Sequence, residues 1–224
     1  MKILALDTST KFLTLGLYGE EKFYDYNIDL GRKHSSLLAP TIKRVIGALG
    51  WKIQEIDYFA CGLGPGSFTG VRIGVSTIKG MAFAKNQPVV GISTLDILAR
   101  NAPKEFSRKE IVPVLDARRG LLYYSIYAKV NSRLRRMIPY RLATKKKFFK
   151  EVRSGSIILG DGLECCLEEL HRNSKGMTLL DKDYWYPKAN QLVRLAQERI
   201  KEGKFCDSSK IKPIYLYPKE CQIR

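Results

Sequence analysis

Histidine is scarce in this 224-residue chain, and several common catalytic motifs are missing. The two histidines, His34 and His171, are too far apart in sequence to form the HxxxH or HExxH pair of a metal-dependent hydrolase. No GxSxG segment and no Gly-Lys-Ser/Thr sequence occurs, which argues against an α/β-hydrolase nucleophile and against a P-loop. The sequence therefore predicts no metal site.

The sequence also has no CxxC cysteine pair and no apolar run long enough to span a membrane. The odd cysteine count is typical of a reducing compartment, and no two cysteines have CxxC spacing. The cysteines are Cys61, Cys165, Cys166, Cys206 and Cys221. Asp7 interrupts the first apolar run after four residues, too early for a signal peptide, and no run approaches membrane-spanning length. We expect a cytoplasmic protein that uses no membrane.

Positive charge is in excess and is unevenly distributed. The net charge is +17, and residues 104–153 hold 15 basic and 4 acidic side chains. The basic runs Arg133–Arg136 and Lys145–Lys147 lie there, near Tyr140 and Phe148. This stretch is either a solvated lysine-rich surface or a surface that faces a polyanion such as RNA, and the charge alone does not decide.

The order of predicted elements repeats along the chain. Three strands over 3–28, a helix over 35–49, a strand over 58–62, a helix over 71–84, a strand over 89–91 and a helix over 94–100 form the first half. A strand ending at Asp116 then begins a second βββαβα series, as a strand ending at Asp7 begins the first. The series predicts strands over 122–127, 135–142 and 156–159 and helices over 145–152 and 163–171. A duplicated α/β architecture with a boundary at 103/104 follows.

The most informative segment is the glycine-rich sequence over 62–74, which links a strand to a helix. Gly64, Gly66 and Gly70 allow close backbone approach, Ser67 and Arg72 can reach a phosphate, and Thr69 can cap the helix. Such a loop is either an anion site at a helix N-terminus or a tight turn whose glycines serve packing.

A second candidate site follows the first strand. Asp7, Thr8, Ser9 and Thr10 either hold a hydrated metal and phosphates or form a turn whose side chains bond to their own backbone. The small residues of the helix after the glycine-rich segment either pack on the protein's own sheet or form a helix–helix dimer interface.

Taken together, these segments resemble the bacterial TsaB family of tRNA threonylcarbamoyladenosine biosynthesis proteins, formerly described as glycoprotease-like. The resemblance is dense over 1–128 and rests on ILALDTST, RKHS with LAP, the GPGSFTGVRIG segment, GISTL and LDAR, with PIYL near the end. It implies the actin-like ATPase (ASKHA) fold, an α/β fold of two RNase H-like βββαβα lobes. The expected lobes are 1–103, with the glycine-rich loop and a dimerisation helix, and 104–224, basic and carrying the C-terminal helix and tail.

The resemblance also implies function. Members of this family are non-catalytic partners of the TsaD subunit, which transfers threonylcarbamoyl to the adenosine next to the anticodon, and an ATPase subunit, TsaE, completes the complex. It implies a homodimer when the chain is alone, and tRNA in the complex. The candidate interface is the loop over 64–70 with the helix after it, and its residues are Arg72, Val75, Ser76, Lys79 and Met81.

One departure bears on nucleotide chemistry. Actin-like ATPases carry glycine in the first phosphate loop, where this chain has Ser9. The Cβ and hydroxyl of Ser9 crowd a close phosphate, so Asp7–Thr10 and the glycine-rich loop are predicted to be a vestigial phosphate site with at most weak ATP or ADP binding. The alternatives are an autonomous actin-like ATPase and a metallopeptidase, and the scarcity of histidine argues against the second.

Overall fold

The computed structural model describes residues 1–31, 33–106, 108–169 and 176–218, which form two compact units. The first unit is Met1–Thr94 with Pro187–Ile214, and the second is Leu95–Tyr186 with the described residues from Tyr215. The helices are α1 (His34–Ala48), α2 (Phe68–Phe83), α3 (Thr94–Ala99), α4 (Lys145–Glu151) and α5 (Ala189–Lys201).

A five-stranded sheet forms the first unit, in the order β3-β2-β1-β4-β5. The strands are β1 (Ile3–Asp7), β2 (Phe12–Gly19), β3 (Lys22–Asp29), β4 (Tyr58–Gly62) and β5 (Val89–Ile92). β1, β2 and β3 are antiparallel neighbours, whereas β4 runs parallel to β1 and β5 runs parallel to β4. All five residues of β1 are buried, as expected for the centre of a sheet that is covered on both faces.

The second unit repeats this order. Its sheet runs β10-β7-β6-β11-β12, with a β8–β9 hairpin joined to β6 through β8. The strands are β6 (Ile111–Arg118), β7 (Leu121–Tyr124), β8 (Tyr127–Val130), β9 (Arg133–Arg136), β10 (Arg141–Thr144), β11 (Ile157–Leu159) and β12 (Thr178–Leu179). β6 pairs antiparallel with β7 and parallel with β11, as β1 does with β2 and β4. The predicted α/β fold, actin-like with two RNase H-like lobes, is confirmed.

The last helix is placed differently from the prediction. The sequence boundary at 103/104 assigns it to the second lobe, but α5 belongs to the first unit. Gly16 of β2 gives the reason, because a Cβ there would lie 2.8 Å from Val193 Cγ2 and 3.2 Å from Ala189 Cβ. Thr14 Oγ1 also donates a hydrogen bond to the Pro187 carbonyl at 2.9 Å. The missing side chain of Gly16 thus lets α5 lie directly on the first sheet.

The predicted third strand of the second lobe, 135–142, is wrong. Asn131 and Ser132 have φ of 49° and 62°, so the chain turns there and returns as β9. The strand that occupies the third position is β10, which begins at Arg141. The predicted helix over 163–171 begins instead as a 3-10 helix, Asp161–Cys166, and its end lies outside the described residues.

Two smaller predictions can also be compared with the structure. The four described cysteines are free thiols, while Cys221 lies outside the described residues. No helix in the described part of the chain combines the length and the apolar character needed to cross a lipid bilayer.

Candidate functional site

The first candidate site, the loop Asp7–Thr10, is closed by its own hydrogen bonds. All four residues are buried, and Asp7 is 1% exposed. Asp7 Oδ1 accepts from the Ser9 backbone N–H at 2.7 Å and from Ser9 Oγ at 2.6 Å. Asp7 Oδ2 accepts from Thr94 Oγ1 at 2.7 Å. The carboxylate is therefore occupied by donors of the first unit itself.

Burial also shifts the pKa of this carboxyl group. Desolvation raises the pKa of Asp7, and the hydrogen bonds from Ser9 and Thr94 oppose the shift. The nearby His34, 5% exposed and at the start of α1, also favours the carboxylate. The sequence analysis did not identify Thr94 as a site residue, although a hydroxyl two residues after the strand β5, which lies beside β4, is a detectable signal.

The glycine-rich loop packs directly on this first loop. The Ser67 backbone N–H donates to the Ser9 carbonyl at 2.7 Å, and Thr8 Oγ1 donates to the Gly70 carbonyl at 2.7 Å. A Cβ on Gly66 would meet the Ser9 carbonyl, and one on Gly70 would meet the Thr8 carbonyl. The glycines allow this close packing, and the Ser67 N–H and the Gly70 carbonyl are bonded to the Asp7–Thr10 loop.

The turn between β4 and α2 depends on Gly64 and Ser67. Gly64 has φ of +81°, a conformation that side chains disfavour, and its carbonyl accepts from the Thr94 N–H at 2.8 Å. The residue that caps α2 is Ser67, whose Oγ accepts from the Gly70 N–H at 3.2 Å, whereas the predicted cap, Thr69, is exposed. Thr10 Oγ1 accepts from the Phe12 N–H at 3.2 Å, which completes the local turn.

The predicted interface residues on α2 divide into two groups. Val75 is 4% exposed and belongs to the core of the first unit, and Met81 packs partly against that core. Both point inward because they follow the buried stripe of the helix. Arg72 and Ser76 are exposed, while Lys79 is partly buried and donates to the Ser209 carbonyl at 3.3 Å.

The exposed side of α2 carries aromatic residues that the sequence analysis did not single out. Phe83 is 76% exposed and Phe68 is 38% exposed. The Arg72 guanidinium lies 3.8 Å from the centroid of the Phe68 ring, a cation–π contact. An open depression of about 280 Å³ adjoins Phe83. It is lined by Lys79, Gly80, Phe83, Ser208 and Ser209. We call Phe68, Arg72, Ser76, Gly80 and Phe83 the outer face of α2.

The second unit has an acidic group at the matching strand end. Asp116 of β6 is the counterpart of Asp7, and its backbone N–H donates to Asp161 Oδ1 at 3.1 Å. Burial raises the pKa of Asp161 to about 6, with contributions from the negative charges of Asp116 and Glu164. Arg118 pairs with Asp116 at 3.0 Å. Within the described ranges, no three His, Cys, Asp or Glu side chains are grouped so that they could hold a metal ion.

Comparison with known proteins assigns the family. A family model described as "TsaD: tRNA N6-adenosine threonylcarbamoyltransferase" matches residues 29–156, more than half of the chain. The chain belongs to this family.

The relatives named TsaB confirm the predicted resemblance. The Escherichia coli protein is 28% identical over 220 residues, which cover 96% of this chain and 94% of the relative. The Bacillus subtilis protein is 34% identical over 140 residues, which cover 62% and 60%. Both are named tRNA threonylcarbamoyladenosine biosynthesis protein TsaB, and this shared name supports a role in that biosynthesis.

Solved structures agree with this assignment. YeaZ from Pseudomonas aeruginosa superposes with a TM-score of 0.82 at 26% identity, covering 96% of this chain and 100% of its own. Another structure from that organism has a TM-score of 0.83 at 27% identity, covering 96% and 99%. It is described as an uncharacterized protein with similarity to peptidase YeaZ.

The two glycines Gly70 and Gly80 of α2 give a matched test of the packed loops. Gly70→Ala should lower the free energy of unfolding by roughly 1–3 kcal/mol, because its Cβ would meet the Thr8 backbone. Gly80→Ala should raise it by up to about 1 kcal/mol, because nothing lies within 4 Å and alanine favours helix. Urea unfolding of both variants measures the difference, and equal effects would contradict the packing described here.

Asp161→Asn tests the second acidic group. A carboxyl group whose pKa is raised in the folded state stabilises the fold below its unfolded pKa, and this contribution is lost as the pH rises through about 6. Relative to wild type, the variant should gain on the order of 3 kcal/mol in free energy of unfolding between pH 4 and pH 8. Urea unfolding at both pH values measures this gain. A difference that does not change with pH would contradict the desolvation of Asp161.

Proposed function

We propose that this chain is a non-catalytic scaffold and activator subunit in tRNA threonylcarbamoyladenosine biosynthesis. In this proposal it binds the catalytic TsaD subunit, works with the ATPase subunit TsaE in the bacterial cytoplasm, and forms a homodimer when TsaD is absent. TsaD transfers threonylcarbamoyl to the adenosine next to the anticodon. The relatives named TsaB and the TsaD family match support the pathway, and the geometry of the first unit supports the scaffold role.

The observation that carries the proposal is the outer face of α2. Two aromatic rings stand at its ends, Phe68 and Phe83, and Phe83 is 76% exposed. Aromatic residues, phenylalanine included, and arginine are enriched at the buried centre of protein interfaces. Between them, Ser76 and Gly80 have little or no side chain, so a partner helix can approach closely. Hydrogen bonds from Thr8 to Gly70 and from Ser67 to Ser9 fix the start of this helix on the Asp7–Thr10 loop.

The closed first loop supports a role without ATP turnover. The Asp7 carboxylate faces donors from Ser9 and Thr94, and the Ser67 N–H is bonded to the Ser9 carbonyl. A phosphate entering here would have to displace these bonds and approach a buried carboxyl group. We therefore propose that the chain requires no cofactor of its own and binds ATP or ADP weakly at most.

Phe83→Ser tests the interface. The assay contains TsaD, TsaE, threonylcarbamoyl-adenylate and unmodified tRNA, with increasing amounts of this chain. We expect the variant to need roughly tenfold more protein for half-maximal stimulation, because an interface anchor is removed. Arg72→Glu should act in the same direction.

Leu179→Ser is the matched control, since Leu179 is 42% exposed but lies on β12 of the second unit. It should stimulate as wild type does. Stimulation by Phe83→Ser that equals the control, with unchanged thermal unfolding of both, would overturn the assignment of the interface.

Asp7→Asn separates the scaffold from an autonomous ATPase. The amide keeps the size and the acceptor Oδ1, so the packed loops should survive. The scaffold proposal predicts stimulation of tRNA modification within about twofold of wild type, and no phosphate release from ATP by either isolated protein. ATP hydrolysis by the isolated wild-type chain that disappears in Asp7→Asn would favour the ATPase.

A further inference from the structure

The β8–β9 hairpin is an addition to the repeated fold. In the first unit β2 leads through a tight turn into β3, which pairs with it. In the second unit, β8 and β9 are inserted between β7 and β10, the strands that correspond to β2 and β3. The duplicated sheet therefore does not require this hairpin, and its sequence is free to serve another purpose.

The two sides of the hairpin differ in character. Cross-strand partners share a side, and the pairs are Tyr127 with Arg136, Ala128 with Arg135, Lys129 with Leu134 and Val130 with Arg133. Tyr127 is buried and Leu134 packs against a core cluster, so their side faces the second unit. Arg133 and Arg135 lie on the opposite side, and both are exposed.

The backbone holds these two arginines at a fixed spacing. Side chains two residues apart on a strand are about 7 Å apart, a spacing comparable with that of successive phosphates along a nucleic-acid strand. The turn at Asn131 and Ser132 has two residues with positive φ, the tight connection that fixes hairpin register. The arginines are therefore presented on ordered backbone.

The third arginine of β9, Arg136, contacts an aromatic ring on the inward side of the hairpin. Its guanidinium lies 4.0 Å from the centroid of the Tyr140 ring, and Tyr140 Oη donates to Asp96 Oδ1 at 2.9 Å. Tyr127 Oη donates to the same Asp96 oxygen at 2.7 Å. Arg136 thus belongs to the inward side and its aromatic network, whereas Arg133 and Arg135 do not share that side.

Negative charge is missing along this part of the chain. Residues 117–150 contain eleven Lys and Arg and neither Asp nor Glu. Several cations of the second unit have carboxylate partners, such as Lys145 with Glu169 at 3.1 Å and Arg153 with Glu110 at 3.3 Å. Arg135 has no carboxylate within ion-pair distance among the described residues. Arg135 therefore presents positive charge that no carboxylate of the described residues pairs with.

We propose that the outward side of the β8–β9 hairpin, with Arg133 and Arg135, binds the phosphate backbone of the tRNA substrate. Guanidinium groups bind phosphate oxygens in bidentate fashion, and backbone contacts of this kind position an RNA without reading its sequence. The inference rests on the proposed function in one respect, since that function makes tRNA the polyanion that this chain meets.

The test is the affinity of fluorescently labelled, unmodified tRNA, measured by anisotropy for the full chain alone and for its complex with TsaD. Arg133→Gln/Arg135→Gln should bind about tenfold more weakly than wild type. The slope of log affinity against log salt should fall by about 2, since each lost phosphate contact removes roughly one unit. Lys201→Gln/Lys204→Gln removes the same charge from the first unit and should behave as wild type.

Several results would overturn the inference. One is equal tRNA affinity of the hairpin and control variants, both alone and with TsaD. Another is loss of binding to phosphatidylserine vesicles without loss of binding to tRNA, which would assign the hairpin to a lipid surface. Unchanged thermal unfolding of the hairpin variant confirms that the fold is retained.

The modification assay keeps the two proposals apart. Hairpin-dependent tRNA binding by a chain that does not stimulate TsaD would leave the hairpin inference standing while the scaffold proposal fails. Stimulation that depends on Phe83, with an unchanged KM for tRNA and unchanged tRNA affinity in the hairpin variant, would do the reverse.

Discussion

The buried carboxyl group of Asp7 organises the carboxyl end of the first sheet. It lies at the end of β1, and it accepts from Ser9 on the next loop and from Thr94 after β5. Thr94 in turn donates its N–H to Gly64 of the glycine-rich loop. One desolvated acid thus connects three loops, and removing the Thr94 hydroxyl would leave the buried Asp7 Oδ2 without its donor.

The orientation of α2 follows from this arrangement. Gly66 and Gly70 have no Cβ, so the loop before α2 and its first turn lie against the backbone of Thr8 and Ser9. The buried stripe of α2, which includes Val75, then enters the core of the first unit, and the opposite stripe faces outward with Phe68 and Phe83. The residue types that allow a phosphate loop in related folds here allow tight packing, and the packing fixes which side of α2 is exposed.

The sequence predicts much of this, because periodicity and strand-end residues are local signals. The duplicated strand order and the positions of β1, β4, α1 and α2 follow from apolar spacing and turn residues. The place of α5 does not, since it depends on the contact of Gly16 with Val193, residues 177 positions apart that no local pattern connects. The partner of Asp7 is equally non-local, because Thr94 is 87 residues away. The inward direction of Val75 and Met81 depends on which side of α2 meets the sheet.

The two units show how one topology can be used differently. Each begins with a central strand that carries an aspartate at or near its end, Asp7 in β1 and Asp116 in β6. The hydroxyl groups of Ser9 and Thr94 donate hydrogen bonds to Asp7. Asp116 instead lies beside Asp161 and pairs with the exposed Arg118. The first unit keeps its short turn between β2 and β3 and exposes apolar surface on α2. In the second unit, the β8–β9 hairpin is inserted into the corresponding connection, and this hairpin exposes positive charge. The two proposals place protein contact and polyanion contact on different copies of the repeat, so that each surface could change without disturbing the core that supports the other.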